Sequence, residues 1–256
     1  MIAPRSCRLL ASLASLALAL LAGGCATGNP VGPGGITSVN APPPARTGDA
    51  WAYRVSSGYS KETFGEEQHR VVEAAADRVV VEATGFRPGR WTLTPDLQWL
   101  THPLADDRVE TFSPAYPALV FPLAAGGKWD LKVNGQQAAP DLGVRRNVNP
   151  LDRLTVQGWV LGWERIKVPA GEFDALHIRR VTWGGNFSYD YGQSEMREDL
   201  WYAPSIGRVV RHDSRWRQLI LYTRLRDGPL YREGDWLVRE LLPADSQPAT
   251  PQALLQ

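Results

Sequence analysis

The 256-residue chain has almost no cysteine: Cys7 and Cys25 are the only two, and both lie close to the N-terminus. No disulfide can therefore stabilise the body of the protein, and no thiolate is available there for a zinc site. The body must be stabilised by its hydrophobic core alone, and the chain is long enough to form one.

The chain also lacks an excess of charge of either sign. Its 28 Lys and Arg residues nearly balance its 27 Asp and Glu residues, and the formal net charge is +1. A nearly neutral chain offers no electrostatic footprint for nucleic acid, so we predict no nucleic-acid partner. The sequence has no Gly-rich phosphate loop and no dinucleotide fingerprint, and we predict no cofactor.

No apolar run is long enough to span a bilayer, which takes roughly 20 residues. The longest run, Leu9 to Leu21, follows Arg5 and Arg8 and precedes the small residues 22–24. A basic start, an apolar centre and a small-residue end are the three parts of a secretory signal. Residues 1–24 are therefore predicted to be a cleaved signal peptide.

The stretch Leu-Leu-Ala-Gly-Gly-Cys that ends at Cys25 resembles a bacterial lipobox. The resemblance implies that Cys25 carries acyl chains and that the bilayer is a partner through those chains. Ala26 follows the cysteine in place of Asp, which by the same resemblance implies the outer membrane, at its periplasmic face. The alternative is an ordinary secretory signal with an incidental cysteine.

Proline and glycine divide the remaining chain. They are dense in residues 25–47, which predicts a lipidated cysteine followed by a flexible tether. Residues 48–242 carry the core-forming residues and are predicted to be one β-rich domain, with a sub-boundary near 135–152. Residues 243–256 are poor in such residues, and we predict a disordered tail.

Long segments with a helical period are also lacking, and Glu66 to Ala76 is the best helix candidate. Short runs rich in β-branched and aromatic residues recur instead, with turn formers between them. We therefore predict a mainly β fold with little helix, either an antiparallel half-barrel or a β-sandwich. A Gly-x-x-Trp pattern at Gly48–Trp51 and Gly126–Trp129 raises the alternative of a duplicated half-sheet.

Two stretches carry turn residues between extended segments: Val-Pro-Ala-Gly-Glu-Phe-Asp-Ala from Val168, and Trp-Tyr-Ala-Pro-Ser-Ile-Gly-Arg-Val from Trp201. With Gly126-Gly-Lys-Trp129 they resemble a module of uncharacterised proteobacterial periplasmic β-proteins, distantly similar to half-barrel carriers of lipoproteins or lipids. The resemblance covers about a third of the chain. It implies a fold and brings no catalytic residues with it.

We find no catalytic or metal constellation. The four histidines lack paired metal-ligand spacing. His212, Asp213 and Ser214 cannot form a triad as neighbours, because successive side chains of a strand point to opposite faces. His177 is predicted to be solvated or hydrogen-bonded. The acidic cluster Glu195, Glu198 and Asp199 is predicted to lie on a solvated loop or edge strand.

Aromatic residues are abundant, with ten Trp, eight Tyr and six Phe. They either pack a core that has no disulfides or line a concave surface for a ligand. The glycine-containing loop from Trp183 to Gly192 favours the second role, because exposed aromatic rings at a loop tip are hard to explain by packing. Its candidate ligand-binding residues are Trp183, Phe187, Tyr189 and Tyr191.

These observations favour a membrane-anchored envelope lipoprotein whose β domain binds a hydrophobic ligand or an envelope protein without catalysis. A scaffold subunit of an envelope complex is one alternative, and an envelope hydrolase is another. A deep apolar cavity would favour the ligand-binding protein, whereas a flat exposed apolar face would favour the scaffold.

Overall fold

The computed structural model describes residues 29–104, 109–138, 152–184, 191–220 and 230–244. The chain is almost entirely β, with one short 3₁₀ turn at Pro33–Gly35. None of the helical structure in these ranges is long and apolar enough to cross a membrane. The strands are β1 (Ser38–Val39), β2 (Ala50–Ser57), β3 (Thr63–Ala74), β4 (Val79–Gly85), β5 (Gly89–Leu93), β6 (Trp99–Pro103), β7 (Val109–Tyr116), β8 (Leu123–Ala124), β9 (Lys128–Ala138), β10 (Asp152–Val168), β11 (Gly171–Gly184), β12 (Tyr191–Ala203), β13 (Arg208–Ile220) and β14 (Leu230–Leu241).

Twelve of these strands form one closed antiparallel barrel in the order β2–β3–β4–β5–β6–β7–β9–β10–β11–β12–β13–β14. Closure comes from β14 pairing with β2, with Leu237 opposite Ser57 and Leu241 opposite Tyr53. The predicted half-barrel or β-sandwich is therefore wrong, and so is the duplicated half-sheet. The physical reason is that the first and last barrel strands satisfy each other's backbone groups, which leaves the sheet without an open edge.

The helix candidate is also wrong, because residues 66–74 belong to β3. This strand is paired on both sides, with β2 and with β4. Glu67, His69 and Val71 are every second residue of this strand, and all three side chains line the barrel interior. This is the period of two that a strand requires.

The suggested sub-boundary near 135–152 lies between β9 and β10. These two strands pair directly, from Gly135 opposite Asp152 to Lys128 opposite Trp159. The residues on both sides of that position therefore belong to a single sheet.

Residues 29–49, which we call the strap, lie against the barrel. Asn29 exchanges backbone hydrogen bonds with Trp163, and the short strand β1 pairs with β8. Further along, the ring of Pro43 lies over Gly207 in the β12–β13 turn. We call the end of the barrel where this turn lies the strap end. Cys25, the signal peptide and residues 245–256 lie outside the described residues.

The outer face of the barrel carries cross-strand ion pairs. Examples are Arg54 with Glu240 at 2.7 Å, Arg215 with Glu233 at 3.0 Å and Arg217 with Glu195 at 2.7 Å. Exposed pairs of this kind contribute little to stability, about 0–1 kcal/mol each. They make the outer face hydrophilic, whereas apolar and aromatic side chains concentrate on the inner face.

Candidate functional site

The barrel contains a cavity of about 1310 Å³. Eight strands already give a barrel whose interior side chains can just fill, so twelve strands leave a lumen. The volume lies above the roughly 300–1,000 Å³ that is usual for small-molecule sites. Most of the lining is apolar, including Val79, Val81, Phe112, Leu154 and Met196.

One side of the cavity is formed by a continuous series of rings, which we call the aromatic wall. Its members are Trp51 on β2, His69 on β3, Trp91 on β5, Trp99 and His102 on β6, and Tyr116 on β7. His69 stacks against both Trp51 and Trp91, with ring centroids 5.4 Å apart in each case. The ring centroid of Trp99 lies 4.7 Å from that of His102 and 4.8 Å from that of Tyr116. The wall offers a ligand a broad surface that is apolar on the ring faces and polar at the imidazole nitrogens.

Guanidinium groups lie at both ends of the aromatic wall. Arg180, on β11, is fully buried, and its guanidinium carbon lies 5.3 Å from the Trp99 ring and 5.0 Å from the Tyr116 ring. Arg208, at the start of β13, lies over Trp51 at 3.9 Å. Cation–π contacts at such distances hold the planar groups against the rings.

A buried ion-pair network extends from Arg180 across β12 to β13. The Nε of Arg180 donates to Glu198 Oε2 at 2.7 Å, and the Nη1 of Arg180 donates to the carbonyl of Ala118. The second oxygen of Glu198 is hydrogen-bonded to His212 Nε2 at 2.9 Å. A buried carboxylate must be paired in this way, because leaving a charge without a partner costs several kcal/mol.

A second ion pair lies across β14 and β3. Arg239 donates from Nε and Nη2 to the two carboxylate oxygens of Glu67, at 2.8 and 3.0 Å. This bidentate geometry is the strongest form of an arginine–carboxylate contact. His69 Nε2 lies 3.6 Å from the same carboxylate.

The electrostatics of the lumen keep these carboxylates charged. Burial alone would raise the pKa of Glu198, but the Arg180 charge and the hydrogen bond with His212 outweigh it and hold the pKa well below its usual range. Burial likewise opposes ionisation of Glu67, and the nearby His69 ring and the Arg239 guanidinium group still lower its pKa to about 2. Burial lowers the pKa of His102 to about 4, so this ring is neutral at pH 7.

Two buried donors or acceptors of the lining have no hydrogen-bond partner among the described residues: Arg180 Nη2 and His69 Nε2. Buried polar atoms in folded proteins are nearly always satisfied by protein, water or ligand. Both atoms belong to side chains that line the cavity, but each atom has almost no accessible surface of its own.

The sequence-predicted ligand-binding residues lie elsewhere or cannot be placed. Trp183 projects from β11 on the face opposite to that of Thr182, which lines the cavity. Phe187 and Tyr189 lie outside the described residues, and only the backbone of Tyr191, at the start of β12, is described. The role of this loop stays a prediction.

The tryptophans divide between the two roles that the sequence left open. Trp51, Trp91, Trp99 and Trp216 line the cavity, whereas Trp163 packs in a core cluster with Leu176, Ile178 and Tyr202. The composition alone could not separate these groups, because both occur in or next to strands.

Sequence reasoning did not find the buried network. Glu198 was predicted on a solvated loop or edge strand, but it is 5% exposed inside the barrel. Its apolar neighbours at alternate positions, Met196 and Leu200, were the available signal. Asp199 points outward, as the strand period requires, and bonds Arg179 at 2.9 Å.

The remaining histidine candidate, His177, is hydrogen-bonded on the outer face. Its two ring nitrogens lie 2.8 Å from Glu164 and 2.8 Å from Asp199, and the ring stacks on Trp201 at 4.4 Å. Burial opposes protonation of His177, but the hydrogen bonds and charges of the two carboxylates raise its pKa. Within the described ranges, no group of three or more metal-binding side chains converges.

Asp213 does not join His212 in a triad. The Trp236 indole N–H donates to Asp213, whereas His212 bonds Glu198 inside the lumen. Adjacent residues of β13 therefore face opposite sides of the sheet.

No protein-family model matches the chain, and no curated protein matches its sequence. Among solved structures, the chain is similar to a protein from Bacteroides fragilis NCTC 9343 described as an exported protein with a YmcC-like fold. The identity is 15% over 80% of this chain and 99% of that one, with a TM-score of 0.46. A protein of Parabacteroides distasonis ATCC 8503 described as a lipoprotein is 13% identical over 78% of this chain and 96% of that one, with a TM-score of 0.36. Both TM-scores lie below 0.5, so neither similarity assigns a function to this chain.

Proposed function

We propose that the protein is a lipoprotein of the bacterial envelope that binds a large amphipathic ligand inside its barrel and acts as a binding protein rather than an enzyme. Acyl chains on Cys25 hold it at the membrane, at the periplasmic face of the outer membrane. The observation that carries the binding role is the cavity of about 1310 Å³ with the aromatic wall on one side.

The lining supports a ligand with an apolar part and a polar part. Aliphatic side chains and the faces of the indole rings offer apolar surface, whose burial contributes roughly 25 cal/mol per Å². Arg208 and Ser194, which are only partly buried, supply polar atoms to the lining of the same cavity. A ligand that was apolar throughout would leave these atoms unsatisfied, so the chemistry fits an amphipathic molecule better.

The alternatives have less support from the geometry. A hydrolase would need a carboxylate or a Ser–His pair that is free to act on a substrate. The buried carboxylates Glu67 and Glu198 are each bound to an arginine, and His212 is bound to Glu198. A scaffold subunit would bind through a flat face, whereas the apolar surface of this barrel is concentrated in the lumen.

The test measures both the native ligand and the role of the wall. Native mass spectrometry of the lipid-anchored protein, purified from membranes, should show a bound amphiphile. A pyrene-labelled fatty acid should bind saturably, and Trp91→Leu should lower its affinity about three- to tenfold because ring contact is lost.

Trp159→Leu is the matched control. Trp159 lies on β10 outside the large cavity, so the same substitution there should leave the affinity unchanged while removing a similar side chain. Thermal melting of both variants checks that each is folded. A wild-type protein that carries no ligand and takes up no fatty acid would contradict the proposed function.

A further inference from the structure

The strap determines which end of the barrel lies near the anchoring residue. Asn29 is held on Trp163 by two backbone hydrogen bonds of 3.0 and 2.7 Å. Trp163 pairs with Leu176 on β11, and Leu176 pairs with Tyr202 on β12, which lies next to the β12–β13 turn. Trp163 is therefore at the strap end of the barrel. Only three residues lie between Cys25 and Asn29, so the four Cα–Cα steps that join them span at most about 14 Å.

The opposite end of the barrel is much farther from this attachment. Along β10, the distance from Trp163 back to Asp152 is about 37 Å at roughly 3.4 Å per residue. An acylated Cys25 therefore holds the strap end close to the bilayer surface, whereas the opposite end can lie well away from it.

The strap end of the cavity is basic. Arg46 of the strap and Arg208 of β13 both line it, together with Asp49, the one carboxylate that the described residues place there. The nearest approach of Arg208 to Asp49 Oδ2 is 3.9 Å, and that oxygen already accepts the backbone N–H of Arg46 at 2.9 Å.

Three other arginines of the lining have closer counter-ions. Arg87 lies 2.6 Å from Asp235, Arg180 lies 2.7 Å from Glu198, and Arg239 binds Glu67 through two contacts. Burial lowers the pKa of Arg208, as expected for a cation that is withdrawn from water without a close carboxylate. Among these four arginines, Arg208 is the one whose charge is least compensated.

We propose that the strap end of the barrel holds the headgroup of an anionic membrane lipid, with Arg208 as its counter-ion and the acyl chains in the cavity. This inference rests on the proposed function, which it deepens by naming the ligand class and its orientation. The phosphate of such a lipid contacts Arg208 beside Trp51, and the chains run from there along the aromatic wall. The headgroup thus lies at the barrel end that faces the membrane from which the lipid comes.

The first experiment compares two lipids with the same acyl chains. Native mass spectrometry of the detergent-solubilised full-length protein is used to titrate phosphatidylglycerol and phosphatidylcholine. The wild type should bind the anionic lipid about tenfold more tightly, because one charge-assisted contact is worth about that factor. Arg208→Gln should remove this preference and retain binding of phosphatidylcholine.

Arg215→Gln is the matched control, since Arg215 also lies on β13 but on the outer face, where it is paired with Glu233 at 3.0 Å. It should keep the tenfold preference. A wild type that binds both lipids equally would overturn the headgroup site and leave the proposed function intact. Binding of neither lipid would also overturn the headgroup site, and the proposed function would then fail only if the fatty acid is not bound either. Displacement of phosphatidylglycerol by inorganic phosphate would assign the site to a free anion and would also overturn the inference.

The second experiment measures orientation. Ser205, in the β12–β13 turn, and Ser60, in the β2–β3 turn at the opposite end, are both exposed. Each is replaced by cysteine in separate variants of the lipid-anchored protein and labelled with a fluorophore. In vesicles that contain lipids with nitroxide-labelled headgroups, the Ser205→Cys label should be quenched more strongly. Equal quenching, or stronger quenching of the Ser60→Cys label, would overturn the orientation.

Discussion

At the scale of single residues, the lumen combines two kinds of side chain that rarely share a protein interior. The indole rings of the aromatic wall favour apolar contact, whereas Arg180, Glu198 and His212 form a buried charged network. Each charge of the network is compensated by a partner at hydrogen-bonding distance, which is the condition for burying it. A ligand therefore meets a polar surface that is already organised, and the buried side chains of Arg180 and Glu198 have almost no hydration to lose when the ligand binds.

The half-buried ring of His102 makes the stability of the barrel depend on pH. Burial lowers its pKa from 6.5 to about 4, so the unfolded chain binds a proton in this interval that the folded chain does not. Stability is fully present above pH 6.5 and is lost as the pH falls toward 4, by about 3 kcal/mol from this group at 1.4 kcal/mol per pKa unit.

The measurement is urea unfolding at pH 7 and at pH 4.5, for the wild type and for His102→Phe. Phenylalanine keeps a ring against Trp99 and does not titrate, so the variant should lose less stability than the wild type on acidification. An identical loss in both proteins would assign the acid sensitivity to other groups.

At the scale of elements, the turns were the most predictable part of the fold. The hairpin between Val168 and Gly171 and the connection at Pro204 to Gly207 were both read from turn residues, and the structure confirms them at β10–β11 and β12–β13. The helix candidate at Glu66 to Ala76 failed, because its side-chain pattern is determined by pairing with β2 and β4 rather than by local preference. The contacts of the strap have no local sequence signal either, since Asn29 pairs with a residue far along the chain.

Gly207 is expected to control how the strap sits on the barrel. Its φ of 63° favours glycine, and a Cβ added there would lie 2.1 Å from the Pro43 ring. Gly207→Ala should therefore move the strap and raise hydrogen exchange at residues 45–49, with a loss of about 1–2 kcal/mol from the left-handed backbone alone.

Gly171→Ala separates strain from collision. Gly171 also has a positive φ, of 130°, but a Cβ there meets no atom within 4 Å. This variant should lose stability without faster exchange in the strap. If both variants leave exchange at residues 45–49 unchanged, the contact of Pro43 with Gly207 does not hold the strap.

At the scale of the whole molecule, closure of the sheet is the property that the sequence could not indicate. Each strand has a local pattern, but whether a sheet ends in open edges or closes depends on the pairing of β14 with β2, whose residues are separated by most of the chain. The same closure creates the lumen, so the residues of the site were recognisable as aromatic or charged but not as neighbours. Twelve strands rather than a half-barrel change the site from a concave face to an enclosed cavity.

The β14–β2 seam should therefore determine the stability of the entire barrel. Leu241 lies opposite Tyr53 in this seam, is 6% exposed, and packs with Val168, Ala175 and Val210. Leu241→Ala should cost about 2–4 kcal/mol, as is usual when a buried leucine is truncated. Leu131→Ala on β9, where the side chain is 42% exposed, should cost well under 1 kcal/mol and serves as the control.

Because the twelve strands form one sheet, urea unfolding of Leu241→Ala followed by circular dichroism and by tryptophan emission should give coincident transitions at a lower midpoint. Two separate transitions, or an unchanged midpoint, would show that the seam is not what joins the first and last strands into a single cooperative unit.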